Sequence, residues 1–321
     1  MSDFDLFNGD ADGIIARHQY RLVHPLKGVQ LLSGLKRDVV LVRKLPKLGV
    51  DKVVVFDVSL ESNEVEVKEH LGRGVCFTWY DHHRRGELKD GAQLDSVIDL
   101  SPRVCTSLLV DGAIDGAARS WAIAAAYGDN LREEADALGV SLGLSQEKRL
   151  ELRELGETLN YNGYGEHPDD LAAWPVDVAL EMEPYGDPFD YMRNSPLYAK
   201  IVEQKRGDEE AMGSVETLSL STSGEVLLLP RGTSSRRMSG LYSNQKVNEE
   251  PDLAHAILTH LEDGGGYRVS IRSPKARPQG ADVLAKRFDT GGGRSAAGGI
   301  NRLPSADLER FFKDFDEVFA C

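Results

Sequence analysis

Short apolar runs, each closed by an acidic residue, punctuate the first third of this 321-residue chain. Phe4 to Phe7 leads into Asn8-Gly9-Asp10-Ala11-Asp12-Gly13. Val53-Val54-Val55-Phe56 leads into Asp57, and Val75 to Tyr80 into Asp81-His82-His83. Such runs read as buried strands. Helix-like stretches alternate with them. A helix is expected to start at Gly13-Ile14-Ile15-Ala16-Arg17, and others to cover Glu61 to Leu71 and Cys105 to Ala113. Val39-Val40-Leu41-Val42 fits helix and strand equally well. This alternation is the α/β signature over residues 1–130. Residues 131–215 read as short helices and loops. Ser145 to Thr158 is helical in pattern, then Asn160-Tyr161-Asn162-Gly163-Tyr164-Gly165 and four prolines (Pro168, Pro175, Pro184, Pro188) interrupt. Strand patterns return over residues 216–321, at Val215 to Leu220, Glu225 to Leu229 and Tyr267 to Ile271. A helix over Ala281 to Phe288 then runs into Gly291-Gly292-Gly293-Arg294, and a last one covers roughly Asp307 to Phe319.

In an open parallel sheet the carboxyl ends of the strands form one edge, where ligands bind. Asp10, Asp12, Asp57, Asp81, His82 and His83 are therefore expected to converge. So many carboxylates repel one another unless cations lie between them. Oxygen ligands with one or two imidazoles suit Mn²⁺ or Mg²⁺. A lone Asp-x-Asp-Gly is more often a turn or helix cap, and a lone His is more often structural. The signal lies in the repetition of acidic strand ends and in the His pair, in a chain with only eight His.

Composition narrows the chemistry. Hydrophobic residues make up 41% and charged residues 28%, as in an ordinary globular protein. Three cysteines without a CxxC support neither a disulfide framework nor a zinc–thiolate site. Neither a leader-like segment nor a membrane-length apolar stretch is visible, which reads as a cytoplasmic protein. The net charge of −14 is uneven. Lys and Arg against Asp and Glu number 16 and 19 in residues 1–130, 8 and 19 in 131–215, and 14 and 14 in 216–321. A protein tracking long nucleic acid carries a basic surface. Here phosphate recognition must be local, and no long duplex partner or membrane is expected. The sequence leaves a homodimer open.

Together these residues resemble the DHH phosphoesterase superfamily, which includes RecJ-type exonucleases, nanoRNases, cyclic-dinucleotide phosphodiesterases and exopolyphosphatases. The first motif resembles Asp10-Ala11-Asp12-Gly13, the second Asp57, the third Asp81-His82-His83, and the fourth Asp129 after Ala124-Ala125-Ala126-Tyr127-Gly128. Ser101-Pro102-Arg103-Val104-Cys105-Thr106-Ser107 resembles the hydroxyl-rich segment before a helix. Residues 216–321 resemble the DHH-associated domain, through Arg272-Ser273 and Gly291-Gly292-Gly293-Arg294-Ser295.

The resemblance implies an α/β fold: a parallel-sheet DHH domain over 1–130, an acidic helical connector over 131–215, and a smaller mixed α/β domain over 216–321. It also implies an active site in the cleft between the two domains. Two Mn²⁺ or Mg²⁺ ions would be held by Asn8, Asp10, Asp12, Asp57, His82 and Asp129, with Asp81 and His83 orienting them or the substrate. Gly291, Gly292, Gly293, Arg294, Ser295 and Arg272 would bind substrate phosphate. Arg294 stands where the family usually has His, and Asn8 is an uncharged first ligand. The implied activity is two-metal phosphoester hydrolysis of a short oligonucleotide or small nucleotide. Exopolyphosphatase activity and phosphate binding without hydrolysis are the alternatives. The three glycines let backbone N–H groups approach an anion, and a helix starting there would add its dipole. Trp121, Tyr161 and Cys105 read as core residues.

Overall fold

The computed structural model describes residues 2–165 and 167–320, and the chain divides into two compact units at residues 204 and 205. Five strands form the first sheet: β1 (Ser2–Phe7), β2 (Gln30–Leu32), β3 (Val50–Phe56), β4 (Cys76–Asp81) and β5 (Leu94–Ile98). Their order is β2-β1-β3-β4-β5 and every pairing is parallel. The nine helices described around them are α1 (Ala11–Val23), α2 (Glu64–Leu71), α3 (Thr106–Ala113), α4 (Arg119–Gly128), α5 (Arg132–Ser141), α6 (Gln146–Gly163), α7 (Pro175–Met182), α8 (Pro188–Asn194) and α9 (Pro196–Ala211). The division between units falls within α9.

The strands alternate strictly between two faces. Phe4 and Leu6, Val53 and Val55, and Phe77 and Trp79 share one apolar cluster, which also holds Val67 of α2. On the opposite face Phe56 stacks on Tyr80, and Tyr20 of α1 lies against both. Asp5 interrupts the apolar run of β1. Its buried carboxylate takes Arg17 Nε at 3.0 Å and also pairs with Arg21, both from α1. Two guanidiniums on one carboxylate compensate the cost of burying it.

Where the pattern fitted helix and strand equally, the chain takes neither as a regular element. Leu41 and Val42 are buried at the start of a single 3₁₀ turn, Val42–Lys44. The break expected at Asn160-Tyr161-Asn162-Gly163 is also absent, because α6 continues through it. Packing outweighs the low helix propensity there. Asn162 exchanges hydrogen bonds with both backbone groups of Ala173, and Tyr161 is fully buried. Helices α5 to α8 pack on α4, α1 and one another, within the same compact unit as the sheet.

His18 of α1 is buried, bonds through Nε2 to the Tyr185 carbonyl at 2.9 Å, and meets the Trp121 ring edge-on. Burial pushes its pKa down to about 4. The unfolded chain binds this proton near the ordinary value and the folded chain does not. Stability from this group is therefore complete above about pH 6.5 and is lost as pH falls toward 4, by about 3 kcal/mol in all. Urea denaturation across that window should show wild type losing this much more stability than His18→Leu. Equal losses would remove His18 as the cause.

The second unit holds a mixed sheet: β6 (Glu216–Ser221), β7 (Gly224–Leu228), β8 (Ala254–His260), β9 (Gly266–Arg272), β10 (Gly291–Gly293) and β11 (Ala297–Pro304). The order is β10-β11-β9-β8-β7-β6, with β7 and β8 parallel and the other pairs antiparallel. Helix α10 (Thr233–Glu249) joins the parallel pair; α11 (Ala281–Ala285) and α12 (Leu308–Phe319) follow. Phe311, Phe315 and Phe319 lie four residues apart on α12 and bury into the sheet's core cluster. Each contributes roughly 2 kcal/mol of apolar burial. The helix expected over Ala281 to Phe288 is shorter, ending at Ala285.

Candidate metal centre

In the first sheet Phe7, Phe56 and Tyr80 are in register, so β1, β3 and β4 end level with one another. The chain leaves β1 toward β2 on one side, while β3 pairs on the other. The strand order thus reverses at β1/β3, the topological switch point where open α/β sheets bind ligands. Asn8, Asp10 and Asp12 follow β1 there, Asp57 follows β3, and Asp81 ends β4 with His82 and His83 just past it.

Each side chain is held by identifiable local structure. Asp10 caps α1, accepting from Gly13 N at 3.1 Å, so the ordinary role of an Asp at a helix start also holds for it. Asp12 sits in the first turn of that helix, and its carboxylate accepts Thr106 N and Ser107 N, each at 2.7 Å. Those N–H groups open α3, and Ser107 Oγ also donates to the Asp12 carbonyl at 2.9 Å. The hydroxyl-rich segment therefore acts as a clamp on Asp12. Asp57 has φ 59°, in the left-handed region that costs a non-glycine residue on the order of 1 kcal/mol. Thr106 Oγ1 donates to Asp57 Oδ1 at 3.1 Å.

Each of the two histidines is held through its Nδ1. His82 Nδ1 lies 2.8 Å from the Val104 carbonyl, and His83 Nδ1 lies 2.7 Å from Asp81 Oδ1. A carbonyl only accepts, so Nδ1 of His82 carries hydrogen and Nε2 is left as the ligating nitrogen. That Nε2 is 3.2 Å from Asp57 Oδ1 and 3.9 Å from Asp12 Oδ2. Two acceptor atoms this close need a proton or a metal cation between them. Among the described residues, ligand atoms of Asp57, His82 and His83 all lie within 4.8 Å of one another. Asp129, just past α4, reaches to 3.8 Å from His82 Nδ1.

Electrostatics agree with a site that needs positive charge. Burial, aggravated by Asp10 and Asp12, drives the Asp57 pKa well above the carboxylate range. Burial raises Asp12 too, with His82 opposing it and Asp129 and Asp10 adding to it. Asp10 differs: burial would raise it, but the Lys36 ammonium outweighs burial and lowers it. Asn8 Oδ1 and Asp81 Oδ2 are buried and have no hydrogen-bond partner among the described residues. Orphaned oxygens, carboxylates and imidazoles are the donors that Mn²⁺ or Mg²⁺ accepts, so the residues present fit a divalent ion.

The acidic motifs do not point to Lys36 or Asn160. Both lie far from those motifs in sequence, yet Lys36 Nζ is 2.6 Å from Asp10 Oδ2 and 2.9 Å from Asn160 Oδ1. Cys105, Trp121 and Tyr161 are fully buried, as expected of core residues. Burial raises the Cys105 thiol well above its ordinary pKa, which disfavours the thiolate form.

The remaining sequence candidates belong to the second unit. The glycine run is strand β10 itself, leading through a hairpin into β11, with Arg294 N donating to Ala297 O at 2.8 Å. The helix start considered for this position is thus replaced by a β-turn, and the run lacks a helix dipole. Gly291 has a packing reason for being glycine: a Cβ there would come within 1.7 Å of the Ala285 carbonyl oxygen. Arg272 Nε donates to Asn244 Oδ1 at 2.8 Å, and Ser295 is exposed.

No protein-family model and no curated protein matches the sequence. Solved structures do match it. One is a DHH domain described as a member of the S1p family of ribosomal proteins. It has a TM-score of 0.65 at 14% identity, over 98% of this chain and 86% of that one. Another is the exonuclease RecJ bound to manganese, with a TM-score of 0.60 at 16% identity, over 99% and 90%. RecJ from Thermus thermophilus in complex with Mn²⁺ gives 0.56 at 17% identity, over 99% of this chain and 52% of that one. Among the described residues no helix is long and apolar enough to cross a membrane. Identities of 14 to 17% establish architecture, and the architecture is the fold shared with that DHH domain and with RecJ.

Proposed function

We propose that this chain is a divalent-metal-dependent phosphoesterase acting on short oligonucleotides or small nucleotide phosphates. The observation that carries the reading is the approach of His82 Nε2 to Asp57 Oδ1, 3.2 Å apart at the sheet's switch point. Neighbouring carboxylates and orphaned oxygens leave the pair short of positive charge. The manganese bound in the similar RecJ structures supports the same ion here.

Asp12, Asp57, His82 and Asp129 offer the donors for one ion. Asp10, Asn8 and Asp57 offer those for the second that the resemblance implies. When bound, such ions supply Lewis acidity and make water acidic enough to serve as a nucleophile near neutral pH. The protein's part is geometry. The α3 amides hold both Asp12 oxygens, the Val104 carbonyl fixes the His82 tautomer, and Asp81 fixes that of His83. His83, a third of its side chain exposed, is the group able to hydrogen-bond substrate or pass it a proton. Residues 216–321 would supply the phosphate contacts, with Arg294 as a permanently charged, bidentate donor. Gly291 to Gly293, Ser295 and Arg272 belong to the same proposal.

The preference for short substrates follows from charge. Residues 131–215 carry a net −11 and residues 216–321 carry none, so a long basic track is absent from the sequence. The test is a Mn²⁺-supplemented hydrolysis screen across short RNA, short DNA, 3′-phosphoadenosine 5′-phosphate, cyclic dinucleotides and polyphosphate. Oligomers of a few nucleotides should be cut at least as efficiently as long ones. The slope of log affinity against log salt should correspond to about one to three phosphates, at roughly 0.7 each on single strands. A steep slope, or efficiency rising past about ten nucleotides, would point to a processive exonuclease instead. Turnover of polyphosphate alone would replace the reading with an exopolyphosphatase.

A further inference from the structure

The side chain that meets Asp10 is itself a cation. Lys36 Nζ is 2.6 Å from Asp10 Oδ2 and 2.9 Å from Asn160 Oδ1, and stands 5.1 Å from the centre of the Tyr164 ring. Its backbone is tied on both sides: Lys36 N donates to Gly163 O at 3.3 Å, and Lys36 O accepts from Asn8 Nδ2 at 3.0 Å. The lysine is thus clamped between the loop after β1 and the last turn of α6, with just over a quarter of its side chain exposed. The other Asp10 oxygen is engaged as the cap of α1.

We propose that the Lys36 ammonium is a built-in cation that takes the place of one metal ion, so that the centre holds a single divalent ion on Asp12, Asp57, His82 and Asp129. The proposal rests on the metal-dependent reading above and deepens it. A dication on Asp10 Oδ2 would compete with the ammonium for one oxygen and repel it at close range. The other donor on that side is weak, because Asn8 brings no charge. Asp12 and Asp57 face the His82 ring and have no lysine or arginine bonded to them among the contacts described. Lys36 is in this sense a positioning residue. It neutralises Asp10 and holds it in place, while the ion is left to the other three carboxylates and the imidazole.

The experiment counts manganese directly. Purified full-length protein is titrated with Mn²⁺ alone, and electron paramagnetic resonance gives both the number of ions bound and whether they are magnetically coupled. Wild type should bind one ion with an uncoupled spectrum. Lys36→Met, which keeps the length and loses the charge, should bind two with a coupled signature, and Lys36→Arg should remain at one. Circular dichroism on each variant checks that it is folded, and the wild-type count decides the proposal even if Lys36→Met is not. Two coupled ions in wild type would overturn the role of Lys36 and leave the metal-dependent reading standing. A folded Lys36→Met that stays at one ion would do the same. No bound ion in wild type at saturating Mn²⁺ would overturn both.

Discussion

Replacing Asp57 is expected to lower kcat/KM by on the order of a thousandfold or more, equivalent to about 4 kcal/mol of transition-state stabilisation. Asp57 is the carboxylate that approaches both histidines, and the charges of Asp10 and Asp12 both act on it. Alanine alone is an incomplete test, because φ 59° penalises Ala in its own right. Asn tolerates the left-handed conformation and matches Asp in shape, so Asp57→Asn isolates the loss of charge. Steady-state kinetics with Mn²⁺, together with calorimetric titration of the ion, should show turnover and metal affinity falling together. Undiminished turnover in Asp57→Asn, or in wild type with excess chelator, would end the metal-centred account.

The second large effect concerns the support beneath the site. Helix α4, which ends next to Asp129, packs on α6 through glycine and alanine. A Cβ on Gly156 would lie 1.9 Å from the Ala124 carbonyl oxygen and 2.8 Å from Gly128 N. Helix propensity alone makes Gly156→Ala stabilising by up to about 1 kcal/mol. Close packing predicts the opposite sign: a loss of about 3 kcal/mol, with Tm falling on the order of 10 °C. The same separation of α4 from α6 would shift Asp129 and the Asn160 contact to Lys36, so activity should fall alongside stability. A Tm unchanged or raised would show that the interface is looser than these distances state.

What can be read in the sequence is local. Each buried strand closes on an acid because apolar residues run up to the point where the chain leaves the sheet. That pattern names Asp10, Asp57 and Asp81 directly, and the parallel-sheet rule brings them to one edge. The last helix, expected over roughly Asp307 to Phe319, is equally local. Helix α6 escapes such a reading at Asn160 because its continuation depends on Ala173, a partner eleven residues beyond Asn162. The glycine run at 291 to 293 suggests an anion loop, whereas its place as an edge strand packed on α11 depends on tertiary contact.

The sequence by itself determined the α/β class, the acidic strand ends and the histidine pair, because short-range periodicity and composition carry that information. Only the tertiary structure decided which charges neighbour which. Register levels three strand ends, a left-handed turn aims Asp57, the amides of α3 clamp Asp12, and a loop lysine meets Asp10. No spacing rule encodes the pairing of Lys36 with Asp10 or with Asn160, since Coulomb interactions depend on distance in space and not on separation along the chain. The ionic character of the site is therefore a property of the fold.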